Sequence, residues 1–185
     1  TITYCHFDCK EKSKGLISIK MFLFYIFDVS MTIKSKDIEL LSPAGSYESL
    51  MAAIKAGANA VYFGVGHLNM RSKSSINFSL SDLENITSIC REHKIKSYLT
   101  LNTVVFDEEL QEMKTLVDAA KKNNISAIIA SDMAAIDYAH SAGVEIHIST
   151  QCNITNIEAV KHYAKFADVM VTARELSLLQ VKKIT

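Results

Sequence analysis

Three times in this chain a helix-like stretch ends at Gly or Asn and runs directly into a short, β-rich apolar segment. The three copies are KAGANAVYFG (residues 55–64), KNNISAIIAS (residues 122–131) and SAGVEIHIS (residues 141–149). Strands that alternate with helical patterns of ten or more residues imply a parallel sheet, because parallel neighbours need a crossover rather than a hairpin. From Met31 onward the pattern supplies six such units. The strand-like runs are residues 38–42, 60–64, 96–102, 127–131, 145–149 and 168–172.

The helical signals fall between them. Ser46 is placed to cap a helix with Leu50, Met51 and Ile54 inside, and Gly57 stops it. Ser81 and Glu84 read as a capping box ahead of Leu83, Ile86, Ile89 and Cys90, which puts Cys90 in the core. Asp107 caps a third helix through Leu110, Met113, Leu116 and Val117. Residues 132–142 and 156–165 form the next two, and Glu175 opens a sixth.

Right-handed crossovers leave an open doubly wound sheet or a TIM-type barrel. Alternation along the strands favours the barrel. Ile146 and Ile148 oppose His147 and Ser149; Leu99 and Leu101 oppose Tyr98, Thr100 and Asn102; Val169 and Val171 oppose Met170, Thr172 and Arg174. A sheet covered on both faces reads as continuously apolar. One apolar face and one face turning polar near the strand ends suit helices outside and a functional mouth inside. Six units are an incomplete TIM-like (β/α) barrel, which needs eight.

Composition narrows the class further. Lys+Arg and Asp+Glu are 20 each over the 185 residues, and residues 31–185 hold 16 and 17, so the barrel segment has no overall basic field for nucleic acid. No apolar run is long enough for a membrane span. The four cysteines (Cys5, Cys9, Cys90, Cys152) are scattered, as in a reducing compartment, and the expected location is cytoplasmic. Cys5, His6 and Cys9 lack the second ligand pair of a zinc site. Residues 1–30 break the pattern and read as an extension upstream of a start at Met31. Residues 31–185 read as the N-terminal part of a barrel domain cut off in its sixth helix.

Catalytic groups of such barrels sit at the strand C-termini. The candidates there are His147, Arg174 and Glu175 for chemistry, with Glu39, Ser42, Asn102, Thr150, Gln151 and Asn153 for substrate binding. Each has a plainer alternative. Asp132, also at a strand end, serves equally as a helix cap, Asn153 as a turn residue, Glu175 as a helix-start carboxylate, and His147 as a satisfied core histidine. A buried Arg174 needs an anionic partner, and Glu39 is the nearest guess. Gly64-Val65-Gly66 lacks the third glycine of a dinucleotide fingerprint, since Asn69 stands there. No P-loop, G-x-S-x-G or H-E-x-x-H occurs.

Four separated segments resemble the collagenase-like peptidase family U32: ELLSPAGSYESLMAAIKAGANAVYFG (residues 39–64), TLN (residues 100–102), IHISTQCNITN (residues 146–156) and ARELSL (residues 173–178). The resemblance implies a TIM-like barrel at the N-terminal end of a longer protein. Family members carry a protease label, and others act in oxygen-independent hydroxylation of tRNA or ribosomal RNA bases, or of the ubiquinone ring. Many hold an iron–sulfur cluster, whose cysteines follow the R-E-L-S segment. The resemblance therefore implies that this segment binds no cofactor itself and is inactive alone. RNA, tRNA above all, is the implied substrate, contacted through regions outside the segment. A peptidase, or a non-catalytic partner subunit, is the alternative.

Overall fold

The computed structural model describes residues 39–70, 72 and 77–184, together with two short strands near the N-terminus. Those two, β1 (Cys5–Phe7) and β2 (Ile19–Met21), pair antiparallel. The remainder of the expected extension, the expected start at Met31 and Cys9 of the terminal Cys/His group lie outside the described residues.

The rest is one six-stranded parallel sheet in sequential order: β3 (Leu41–Pro43), β4 (Ala60–Gly64), β5 (Lys96–Leu101), β6 (Ala127–Ala130), β7 (Ile146–Ile148) and β8 (Val169–Met170). Between and after them come α1 (Tyr47–Lys55), α2 (Leu83–Glu92), α3 (Leu110–Lys122), α4 (Met133–Ser141), α5 (Ile157–Tyr163) and α6 (Leu178–Ile184). Sequential parallel order with helical crossovers is the expected incomplete TIM-like barrel.

The local signals explain most boundaries. Ser46 caps α1 with a reciprocal box to Ser49, and Gly57 at φ +83° turns the chain toward β4. Asp132 caps α4 by accepting from Ala134 N at 2.9 Å, and Asn156 caps α5 by accepting from Ala159 N at 3.0 Å. Three expectations shift. The box ahead of α2 is Ser79 with Asp82, not Ser81 with Glu84, because a 3-10 turn (Leu80–Asp82) precedes the helix. Asp107 does not cap α3; a second 3-10 turn (Asp107–Glu109) intervenes, and Glu109 bonds back to Phe106 N at 2.9 Å. Glu175 does not open α6. That helix starts at Leu178, with Ser177 and Gln180 bonded reciprocally ahead of it.

Two apolar layers form. Val61, Phe63, Leu99, Leu101, Ile128, Ala130, Ile146, Ile148 and Met170 face the helices and pack on residues such as Leu50, Ile86, Met113, Val117 and Ile136. Cys90 lies in this layer, as expected, and burial pushes its thiol up to about 11. Ala60, Tyr62, Tyr98, Ala127 and Ile129 fill the inner face, with Leu41 against them. The sixth strand reverses its expected facing. Met170 pairs with Ile148 and joins the helix side, while Val169 pairs with His147 on the inside.

The five helices that connect parallel strands, α1 to α5, run opposite to them, so their first turns share the strand C-terminal end. Those turns carry Glu48, Glu84, Glu112 and Glu158; the last turns carry Lys55, Arg91, Lys121, Lys122 and Lys161. Each charge complements its helix dipole. No helix among the described residues is long and apolar enough to cross a membrane.

Candidate functional site: the mouth at the strand C-termini

The inward residues divide into a plug and a mouth. The plug lies toward the strand N-termini. Tyr98 and His147, from alternate strands, meet edge to face with ring centroids 4.6 Å apart. The Tyr98 hydroxyl donates to Glu39 Oε1 at 2.7 Å, and Glu39 Oε2 lies 2.7 Å from Lys96 Nζ. His147 Nε2 is 3.2 Å from Glu145 Oε1, and the residue is only 3% exposed. Burial, then the Glu39 carboxylate, raises the Tyr98 phenol far above its ordinary range, so it stays a donor.

This arrangement places two candidates away from the mouth. Glu39 precedes β3 at the opposite end of the sheet, and its cationic partner is Lys96 rather than Arg174. His147 is packed against Tyr98 and beside Glu145. It matches the satisfied-core alternative, because its position in the middle of β7 buries the ring below the strand end.

At the mouth, Asn102 follows β5 on the inward parity of Tyr98 and Thr100, and its Oδ1 accepts from Met70 N at 3.2 Å. One inward step below, Thr100 Oγ1 donates to Phe63 O at 2.9 Å. After β7 the chain makes a 3-10 turn (Thr150–Cys152) that Ser149 caps by accepting from Gln151 N at 3.3 Å. Thr150 is half-buried there and Gln151 is exposed. Asn153 closes the turn in the left-handed region, φ 47°, a conformation Asn tolerates better than most residues. Cys152 Sγ donates to Ser131 O at 3.4 Å, and burial raises its thiol above the ordinary range. Asp132 accepts from Val105 N at 3.2 Å besides capping α4, which ties two neighbouring mouth connections together.

The remaining candidates are not gathered with these. Ser42 sits beside Leu41 in β3; since Leu41 joins the inner cluster, alternation turns Ser42 toward the helices. Arg174 and Glu175 are exposed in a turn between β8 and α6. β8 is only two residues long, so its alternation does not extend to Arg174, and no burial calls for an anionic partner.

Sequence reasoning missed Asn69. It is fully buried, and its Nδ2 donates to Gly66 O at 3.1 Å and Val65 O at 3.4 Å. A Cβ on Gly64 would land inside the Asn69 amide. The signal in the sequence is the spacing from Gly64 to Asn69, the position where a dinucleotide fingerprint would have its third glycine.

Among the described residues, no group of three or more His, Cys, Asp or Glu comes together to hold a metal. Nor do the described thiols fit an iron–sulfur cluster, which takes four thiolates. Cys90 is on the buried face of α2, and Cys152, in the turn after β7, is bonded to Ser131 O.

A parallel (β/α) sheet in sequential order, with Asn102 and the Thr150–Cys152 turn at its strand C-termini, defines a domain of the TIM-barrel type. The sequence pattern of peptidase family U32 matches residues 45–185, and the chain belongs to that family. It is similar to a collagenase of Porphyromonas gingivalis, 58% identical over 148 residues, which cover 80% of this chain and 36% of the relative. A 23S rRNA 5-hydroxycytidine synthase of Escherichia coli is 34% identical over 155 residues, covering 83% of this chain and 23% of the relative. A tRNA hydroxylation protein of Bacillus subtilis is 30% identical over 153 residues, covering 81% of this chain and 36% of the relative. The chain thus spans about a third or less of the curated relatives it matches. A solved structure described as a U32 peptidase shares the fold, with a TM-score of 0.54 at 10% identity over 79% of this chain and 60% of that one.

Proposed function

We propose that the chain contributes the substrate-binding mouth of a protein that hydroxylates an RNA base, tRNA being the favoured substrate. The observation that carries this reading is how Ser149 and Cys152 near the mouth, and His147 below it, are held. Ser149 spends its oxygen as a turn cap, His147 is packed under Tyr98, and burial keeps Cys152 a thiol. An activated peptidase nucleophile needs a base within hydrogen-bond reach and an open approach. What faces inward at the strand end instead is the Asn102 amide, with Gln151 exposed on the next-but-one connection, and such groups suit binding an unstacked base by its edge. Replacing a base C–H by C–OH is a two-electron oxidation. Its redox group, for which an iron–sulfur cluster is the proposal, belongs outside these residues. Phosphate contacts and a cytoplasmic location are parts of the same proposal.

The test is complementation of an Escherichia coli strain lacking its tRNA hydroxylation protein by the whole protein that carries this segment, with hydroxylated nucleosides in total tRNA read by mass spectrometry. Their return supports the reading, and their absence with that protein folded and expressed refutes it. Peptide cleavage is the second reading, favoured by the 58% identity to the collagenase. It predicts that the purified protein cuts gelatin whether or not iron is present.

A further inference from the structure

We infer that Asn102 serves the mouth as a hydrogen-bond donor to a carbonyl oxygen of a nucleobase, and that Asn69, seated in the space a side chain at Gly64 would fill, is the positioning residue that holds it so. The inference rests on the RNA reading above. A carboxamide has an accepting and a donating end, and only its partners decide which end faces out. A backbone N–H can only donate. Met70 N–H lies 3.2 Å from the Asn102 side chain, so the amide oxygen faces Met70 and the two N–H groups face the other way. Asn102 continues the inward alternation of Tyr98 and Thr100, which places that donor at the mouth.

Asn69 is what brings Met70 there. Its buried amide donates to Gly66 O and Val65 O, and its own N–H donates to His67 O at 2.7 Å. These bonds fold residues 65–70 back over the end of β4. The fold-back fits because Gly64 has no side chain, and Gly64 is the register partner of Thr100, one inward step below Asn102. Glycine, asparagine and asparagine thus form a chain from the end of β4 to the inward donor. A donor selects an acceptor. Uracil, cytosine and guanine carry a ring carbonyl and adenine does not, so the accepted base is one of the first three.

Two measurements on the whole protein that carries this segment test this: amide hydrogen exchange at Met70, and hydroxylated nucleosides in tRNA of the complemented strain. Asn102→Asp keeps an oxygen for Met70 but removes the donor. Met70 protection should stay within about twofold of wild type, while hydroxylation falls about tenfold or more, as expected when a buried acceptor loses its partner. Asn102→Ala and Asn69→Asp should both speed Met70 exchange and lower hydroxylation, with the Tyr98 amide in β5 reporting that the sheet is intact. Asn102→Asp with wild-type hydroxylation overturns the donor role. Unchanged Met70 exchange in Asn102→Ala or Asn69→Asp overturns the positioning role. If the wild-type protein that carries this segment hydroxylates nothing, the RNA reading falls and the nucleobase acceptor with it, while the orientation still stands or falls on Met70 exchange.

Discussion

At the scale of single residues, this fold is most sensitive where a small group makes room for a polar one. Gly64→Ala drives a methyl group into the buried Asn69 amide. The substitution should lower unfolding free energy by about 1–3 kcal/mol, the usual cost of overpacking. Adding Asn69→Ala should recover part of that loss rather than deepen it, and urea unfolding of the two single variants and the double variant would show the coupling. Cys90 offers a titration instead. Its folded thiol is pushed from the ordinary 9.0 to about 11 by burial. The unfolded chain therefore ionises first as pH rises. The Cys90 contribution is whole below pH 9 and is lost between there and about 11. Unfolding measured across that range should fall more steeply for wild type than for Cys90→Ala; equal slopes would refute burial as the cause.

At the scale of elements, caps and joints carry the argument. Removing the α1 cap with Ser46→Ala should cost about 1 kcal/mol, measurable as a lower thermal midpoint. The joint between α1 and the turn ahead of α2 is the Tyr47 hydroxyl donating to Asp82 Oδ1 at 2.8 Å. Bonds from Ser79 first, then from Tyr47, hold the Asp82 carboxyl below its ordinary range. Its contribution is present above that range and disappears as pH falls through the lowered value. Asp82→Asn should accordingly flatten the acid limb of a stability profile.

Elements also show how much could be read in advance. β4 and the caps Ser46 and Asp132 are legible because one residue type at one spacing does one physical job. The facing of β8 was not. Val169, Met170 and Val171 are all buried, so alternation has no polar residue to mark the inside. Arg174 and Glu39 failed together: an alternation extrapolated past a two-residue strand predicted a buried cation, and that cation then seemed to need a partner. His147 was correctly turned inward, but periodicity gives a face, not a height along the barrel. The Asn69–Asn102 link spans two connections, and no local pattern encodes it.

At the scale of the whole molecule, the described sheet has two outer strands. β3 pairs only with β4, and β8 only with β7, among the described strands. Unpaired strand edges invite pairing with another chain. The chain expressed alone should self-associate with concentration in sedimentation experiments. A strictly monomeric, cooperatively unfolding species at high concentration would show that the edges are satisfied in another way. The parallel helices have a separate consequence. Since the acidic first turns of α1, α2, α3 and α5 lie at the mouth end and their basic last turns at the other, the described sheet and helices form an electric arrow despite the balanced charge. On a negatively charged chromatography or sensor surface at low ionic strength it should land lysine end down. The mouth would then be presented to the solution without any engineered tag.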